Sequence, residues 1–154
     1  MDRPIVGFHQ DAAGEWLAAL SCGHEQHVRH QPPFTLRPWA VSDEGRASKL
    51  GALLPCTGCD RRERPKGYVA QRRTPEFTES TTPRGLLADH TTQPAVWGRI
   101  VVLEGALEYH IPSIGVTELL SPEREGSVVP ELPHHLVHTG SVRFFVEFFR
   151  APAP

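Results

Sequence analysis

No stretch of this 154-residue sequence comes near the ~20 consecutive apolar residues that a membrane-spanning helix needs. The opening residues MDRPIVGFHQDAAGEW also lack the basic and then apolar layout of a signal peptide. A cytoplasmic protein without membrane contact is therefore expected, with its thiols reduced. Cysteine is scarce: there are three, and an odd number argues against a disulfide framework. Helical periodicity is almost absent, no internal repeat is present, and there is no Gly-rich cofactor loop. No general acid or nucleophile stands out, which weakens an enzymatic reading. The chain is nevertheless built to fold, because 39% hydrophobic and 22% charged residues suit an ordinary domain rather than a disordered one.

What is there divides in two. The first half is rich in turns. In PIVGFHQDAAGEWLAALSC, short apolar stretches flank Asp11 and Gly14, which predicts a β-hairpin. QPPFTLRPWAVSDEGRASKLG alternates poorly, contains three prolines and reads as extended chain with a turn at Asp43–Glu44–Gly45. The second half reads as strands. AVWGRIVVLEGALEYHI predicts two strands turning at Glu104–Gly105. In SVRFFVEFFRA, Val142, Phe144, Val146 and Phe148 share one face, and Arg143, Phe145, Glu147 and Phe149 share the other. Short strands at regular spacing with Gly and Pro punctuation predict a sandwich or barrel.

Charge also differs between the halves. Residues 1–75 hold 11 Lys/Arg against 8 Asp/Glu, and residues 76–154 hold 5 against 10. The basic excess concentrates between residues 60 and 75, where few apolar residues and two prolines point to a linker over 61–74. A first half so close to neutrality is a weak footprint for a nucleic-acid partner, so none is expected.

LSCGHEQHVRHQPPF places Cys22, His24, His27 and His30 within nine positions. The matching pair is Cys56 and Cys59 in LPCTGCD, a spacing that lets two thiolates grip one ion from a single tight turn. Cys22, His24, Cys56 and Cys59 make a Cys₃His set, a closed tetrahedral arrangement for structural Zn²⁺, and thiolates favour zinc over hard cations. The apolar content of this half is thin, and domains with a small core commonly need such a staple. A redox pair at Cys56–Cys59 would need a strand–helix setting that is absent. Three buried hydrophobic cysteines would be out of place beside a charged run. His27 and His30 read better as surface or supporting residues than as ligands.

The second half gathers His90, His110, His134, His135 and His138. In PELPHHLVH, His134 and His138 would share one strand face and His135 the other. A small barrel could bring His90, His134 and His138 together on its interior, where imidazoles bind a divalent transition metal with an open coordination position. His110 and His135 read as outward-facing. Arg99 and Glu147 are candidate ligand contacts, with structural roles equally open.

Two resemblances support this division. GFHQD, CGHEQHVRHQPPF, RPW, GR and CTGC resemble a small uncharacterised bacterial family with a zinc-ribbon-like pattern, over about residues 4–60. That resemblance implies a fold and a metal but no reaction. FTESTTPRGLLADHTTQPAVWGRIVVLEGALEYH followed by PELPHHLVHTGSVRFFVEFF resembles the cupin-like domain at the N-terminus of tellurite-resistance proteins of the TehB type, over about residues 75–150. It implies a double-stranded β-helix barrel with His90 and His134 as its recurring histidines. The first metal motif of typical cupins, His-x-His and then Glu, is missing. The family's methyltransferase activity belongs to a separate domain and is not carried over, which leaves the tellurite link an associational hint.

The expectation is a mainly β protein in two parts: a zinc-stapled module over 1–60 and a cupin-like barrel over 75–154. The leading function is metal binding, with a barrel that binds or senses a small molecule or oxyanion in a stress response. A metal-dependent cupin enzyme of oxygenase or isomerase type is the first rival. An adaptor that uses the zinc module on nucleic acid or protein is the second. Pairing of edge strands into a homodimer is also open.

Overall fold

Asp11 builds the first turn of the chain. Its Oδ1 accepts the backbone N–H groups of Ala13 and Glu15 at 2.9 Å each, and Gly14 takes a φ of 79° that costs glycine little. The turn joins β1 (Asp2–Gln10) to β2 (Trp16–Leu20) as an antiparallel hairpin. The computed structural model describes residues 1–154, and its contacts divide it into two units, Met1–Arg61 and Arg62–Pro154.

In the first unit, β3 (Glu25–His27) and β4 (Leu53–Pro55) flank the hairpin in the order β3-β2-β1-β4. Asp43–Glu44–Gly45 does not form an isolated turn but opens helix α1 (Asp43–Ala47), where Ser42 caps by accepting from the Gly45 N–H at 3.0 Å. Two acids in the first turn then complement the helix dipole. Arg46 is buried, lies 3.7 Å from the Trp16 ring centre and donates to the Ala40 carbonyl at 2.7 Å. One short helix, α2 (Thr57–Asp60), closes the unit. Its buried aliphatic core is thin: Ile5, Ala18, Leu20, Val28 and Ala40, with all three cysteines buried beside them.

In the second unit the strands are β5 (Val69–Arg73), β6 (Phe77–Thr78), β7 (Trp97–Ile111), β8 (Val116–Leu120), β9 (Gly126–Val128) and β10 (His135–Arg150). A single helical turn, α3 (Arg84–Leu87), follows β6. β7 and β10 are 15 and 16 residues long and pair with each other from Trp97↔Phe149 to His110↔His135. Each also takes two short partners on its free edge, β8 and β9 for β7, and β5 and β6 for β10. Register shifts in β10 add to the natural strand twist, and the sheet curls. Val142, Phe144 and Val146 lie in the core with Ile100, Leu107 and Tyr109, and Phe148 packs against them.

Glu104–Gly105 is not a hairpin turn. β7 runs through it, and Gly105, at φ 80°, sits where β10 slips register between His138 and Val142. A Cβ there would lie 2.0 Å from the Ser141 carbonyl oxygen, so the glycine admits a close backbone approach within one long strand.

The basic segment 61–74, expected as a solvated linker, carries β5, which pairs with Glu147–Arg150. Its arginines are amphipathic: Arg72 and Arg73 lie 4.7 and 4.6 Å from the rings of Phe148 and Phe145, and Arg64 lies 3.6 Å from Phe149. A run with few apolar residues therefore covers an aromatic strand with its guanidinium planes. Since a protease needs its substrate extended and free, brief trypsin treatment of the native protein should spare Arg72 and Arg73. Rapid cleavage after either, read by mass spectrometry, would show β5 to be detached.

Candidate functional site

The first candidate is assembled by two tight turns. Between β2 and β3, the Gly23 N–H donates to the Leu20 carbonyl at 2.9 Å and Gly23 takes a φ of 92°, which sets Cys22 and His24 on one side. Cys56 precedes α2 and Cys59 lies within it. Their ligating atoms converge: Cys22 Sγ is 3.4 Å from His24 Nδ1 and 3.8 Å from Cys56 Sγ, and Cys59 Sγ is 3.9 Å from His24 Nδ1. All four ligand atoms lie within 4.8 Å of one another, and the group could hold a metal ion. Gly58 is required here, because a Cβ at that position would come within 2.4 Å of His24 Nε2. The imidazole thus packs its far edge on a glycine while Nδ1 faces the sulfurs.

The electrostatics match this role. The Cys59 thiol is held down to about 4, first by its bond with Cys22 and then by His24 and the Arg3 guanidinium, against the cost of burial. Cys22 is raised, first by sharing its proton with Cys59 and then by burial. Burial also raises Cys56. One thiolate forms readily and a second or third needs a cation among them. Arg3 was not singled out from sequence; its place on β1 beside Cys59 depends on strand pairing. Of the other two histidines, His27 Nε2 meets Asp11 Oδ2 at 2.8 Å on the surface, and His30 Nδ1 accepts the Arg37 N–H at 3.0 Å. Neither joins the cluster.

The second candidate is a cavity of about 330 Å³ in residues 62–154. His90 and His134 meet there through a reciprocal backbone bridge, N–H to carbonyl at 3.0 Å in both directions. Their ring centres are 4.2 Å apart. His90 Nδ1 lies 2.9 Å from the Ala88 carbonyl, and His134 Nδ1 lies 2.9 Å from the Leu132 carbonyl. A carbonyl only accepts, so each Nδ1 carries the hydrogen and each neutral ring keeps its lone pair on Nε2. His134 is 4% exposed, and burial pushes its imidazole down to about 4. The apolar wall includes Ile100, Val128, Leu136 and Val146; Arg72, Gln93 and Arg150 are exposed parts of the lining.

The structure does not bring the third expected ligand to this pair. His138 shares the strand face but lies farther along β10, where its Nε2 meets Thr82 Oγ1 at 2.9 Å. Arg99 and Glu147 are directly paired across β7 and β10 and bond each other, Nε to Oε1, at 3.0 Å. Arg99 also reaches Glu125. Both fall on the face opposite Val146, so they do not line the cavity. His110 and His135 stack 4.8 Å apart on that same outer face. Among the cavity residues overlooked in the sequence are Arg72 and Arg150. Arg150 continues the Phe144–Val146–Phe148 alternation, a signal that was present but is weak at a strand end.

Residues 6–63 match the model of a protein family described as of unknown function, DUF3565, and residues 72–146 match that of the TehB-like domain. The chain is 28% identical over 102 residues to the uncharacterized protein YeaR of Escherichia coli strain K12, covering 57% of this chain and 82% of YeaR. A crystal structure of an E. coli K12 protein from a structural genomics consortium matches with a TM-score of 0.51 at 27% identity, over 58% of this chain and 96% of that one. TehB from Haemophilus influenzae matches with a TM-score of 0.51 at 20% identity, over 56% of this chain and 32% of TehB, a likeness of fold alone.

Because the His134 imidazole titrates near 4 when folded and near 6.5 when unfolded, the unfolded chain takes up its proton first as pH falls. The stabilisation from keeping His134 neutral is complete above pH 6.5 and is lost toward pH 4, by up to about 3 kcal/mol. In urea titrations across that range, wild type should lose stability relative to His134→Gln. Parallel curves for the two proteins would contradict the burial of a neutral ring.

Proposed function

Since the chain joins a DUF3565 domain to a TehB-like domain, we propose that it is a zinc-stapled protein whose TehB-like half binds a small molecule. Zinc is the favoured ion because tetrahedral bonds of about 2.3 Å to sulfur and 2.0–2.1 Å to nitrogen separate two sulfurs by about 3.8 Å and sulfur from nitrogen by about 3.6 Å. The Cys22–Cys56 and Cys22–His24 separations of 3.8 and 3.4 Å fit that spacing. Four protein donors leave no open position, so the ion's contribution is to folding.

The observation that carries the binding role is the cavity: an apolar wall, two imidazoles and no carboxylate, cysteine or lysine in its lining. A base that titrates near 4 is a poor proton acceptor at neutral pH, and no nucleophile with an activating partner faces the space. These features favour capture of a ligand over its conversion, which fits sensing or handling of a small molecule under stress.

A second reading rests on the two tautomers. With both Nδ1 atoms donating to carbonyls, the two Nε2 lone pairs are those with which histidines ligate metals. His90 and His134 would then hold a divalent transition metal that lacks further protein ligands and polarises a bound oxygen group, as in the cupin enzyme alternative. Element analysis separates the readings, with one metal per chain for the first and two for the second.

Two outcomes are expected. Gly58→Ala should weaken zinc retention against a chromophoric chelator by at least about tenfold, and Cys56→Ser should release the ion and unfold residues 1–61. Full retention in Gly58→Ala would show that His24 is not a ligand. For the cavity, Leu86→Trp should fill it from α3 and remove the amide shift changes that ligand-like fragments induce at Val96, Ile100 and Val146. Fragments that shift those amides equally in the variant would place binding elsewhere.

A further inference from the structure

We infer that the ligand of this cavity is a small organic monocarboxylate, its anionic end held by Arg72 and Arg150 and its apolar body against Ile100, Val128 and Val146. The inference rests on the proposed binding role and specifies its chemistry. It starts from an imbalance of charge. Residues 76–154 contain ten Asp and Glu, and none of them lines the cavity. Elsewhere in this unit Arg62 and Arg124 pair with Glu118, Arg99 with Glu125 and Glu147, and Arg143 with Glu76 and Glu104, while Arg64 and Arg73 lie over the rings of Phe149 and Phe145 outside the cavity lining. Arg72 and Arg150 have no carboxylate partner. Arg72 is opposite Phe148 in the β5–β10 ladder, and Arg150 lies two residues beyond Phe148 on the same strand, so both project from the face that lines the cavity. The bulge between Phe148 and Phe149 leaves that alternation on β10 intact.

The two guanidiniums are the permanent cations of the lining. The Nε2 lone pairs of His90 and His134 would repel an anion, which directs a carboxylate away from the imidazoles and toward the exposed arginines. A guanidinium fork matches the two oxygens of a carboxylate. Ile100, Val128, Leu136 and Val146 are nearly inaccessible to solvent yet border the cavity. An inorganic oxyanion on the arginines would leave that wall against water, whereas an apolar body covers it. At the packing density of protein interiors, 330 Å³ accepts on the order of ten non-hydrogen atoms. Compact aryl or short aliphatic acids have that size.

Calorimetric titration of the full-length protein with phenylacetate, cinnamate and hexanoate tests the inference, with phenylacetamide as the neutral counterpart and phosphate and selenite as inorganic anions. At least one acid should bind, and phenylacetate at least tenfold more tightly than its amide. Arg72→Gln and Arg150→Gln should each weaken acid binding at least fivefold and leave the amide unaffected. If the amide equals the acid, or if phosphate or selenite displaces the acid at equal concentration, the carboxylate assignment falls and the cavity's binding role stands. If no compound binds, by heat or by amide shifts at Val96 and Ile100, both fall together.

Discussion

Residues 62–154 depend on the antiparallel ladder that joins β7 to β10. Twelve paired positions, from Trp97↔Phe149 to His110↔His135, hold two strands that are far apart in sequence side by side. Every other strand of this unit is attached to one of these two. The ladder also sets which side chains face inward. Val146 and Phe148 line the cavity, and Glu147 between them is turned out to Arg99. The cavity-facing side chains and the outer ion pairs are thus two faces of one register. A slip of a single residue would exchange them.

The first unit solves the opposite problem. It has short strands, a thin aliphatic core and several exposed apolar side chains, Phe34 and Leu36 among them. Packing alone offers little to hold two distant turns together. Three buried sulfurs and one half-buried imidazole converge between those turns, with Gly58 leaving room for the ring. Cys59 ionises readily while Cys22 and Cys56 resist, so a cation among the sulfurs would favour the remaining thiolates.

The two candidate sites also differ in kind. The Cys₃His cluster supplies four donors from the protein and has no vacancy for chemistry. The cavity supplies two acceptors, two cations and an apolar wall, arranged around a space. The first converges on one point and the second surrounds a space. Enclosure of Arg72 within a strand explains how a segment with the composition of a tether contributes to that space. Its guanidinium lies over Phe148, so its position is set by the ring rather than by a carboxylate.

The sequence by itself determined the Cys₃His group that could hold a metal, because Cys-x-x-Cys and Cys-x-His are local patterns in which a few bonds of backbone bring two side chains to one point. It also determined the mainly β character and the two faces of the last strand, since alternation with a period of two is local as well. That His90 and His134 meet without His138 it disclosed only through family resemblance, since the barrel reading grouped all three. Tertiary structure decided the rest. It made Glu104–Gly105 part of a continuous strand, because a long partner lay alongside to receive it. It took Val69–Arg73 out of a linker and into a sheet edge, where aromatic rings were waiting for the arginines. It sent His138 to Thr82 rather than to the other two histidines, because position along a strand separates residues that share its face. Pairing partners, distances along a curled sheet and the charge left unmatched around a cavity are long-range quantities, and no window of sequence contains them.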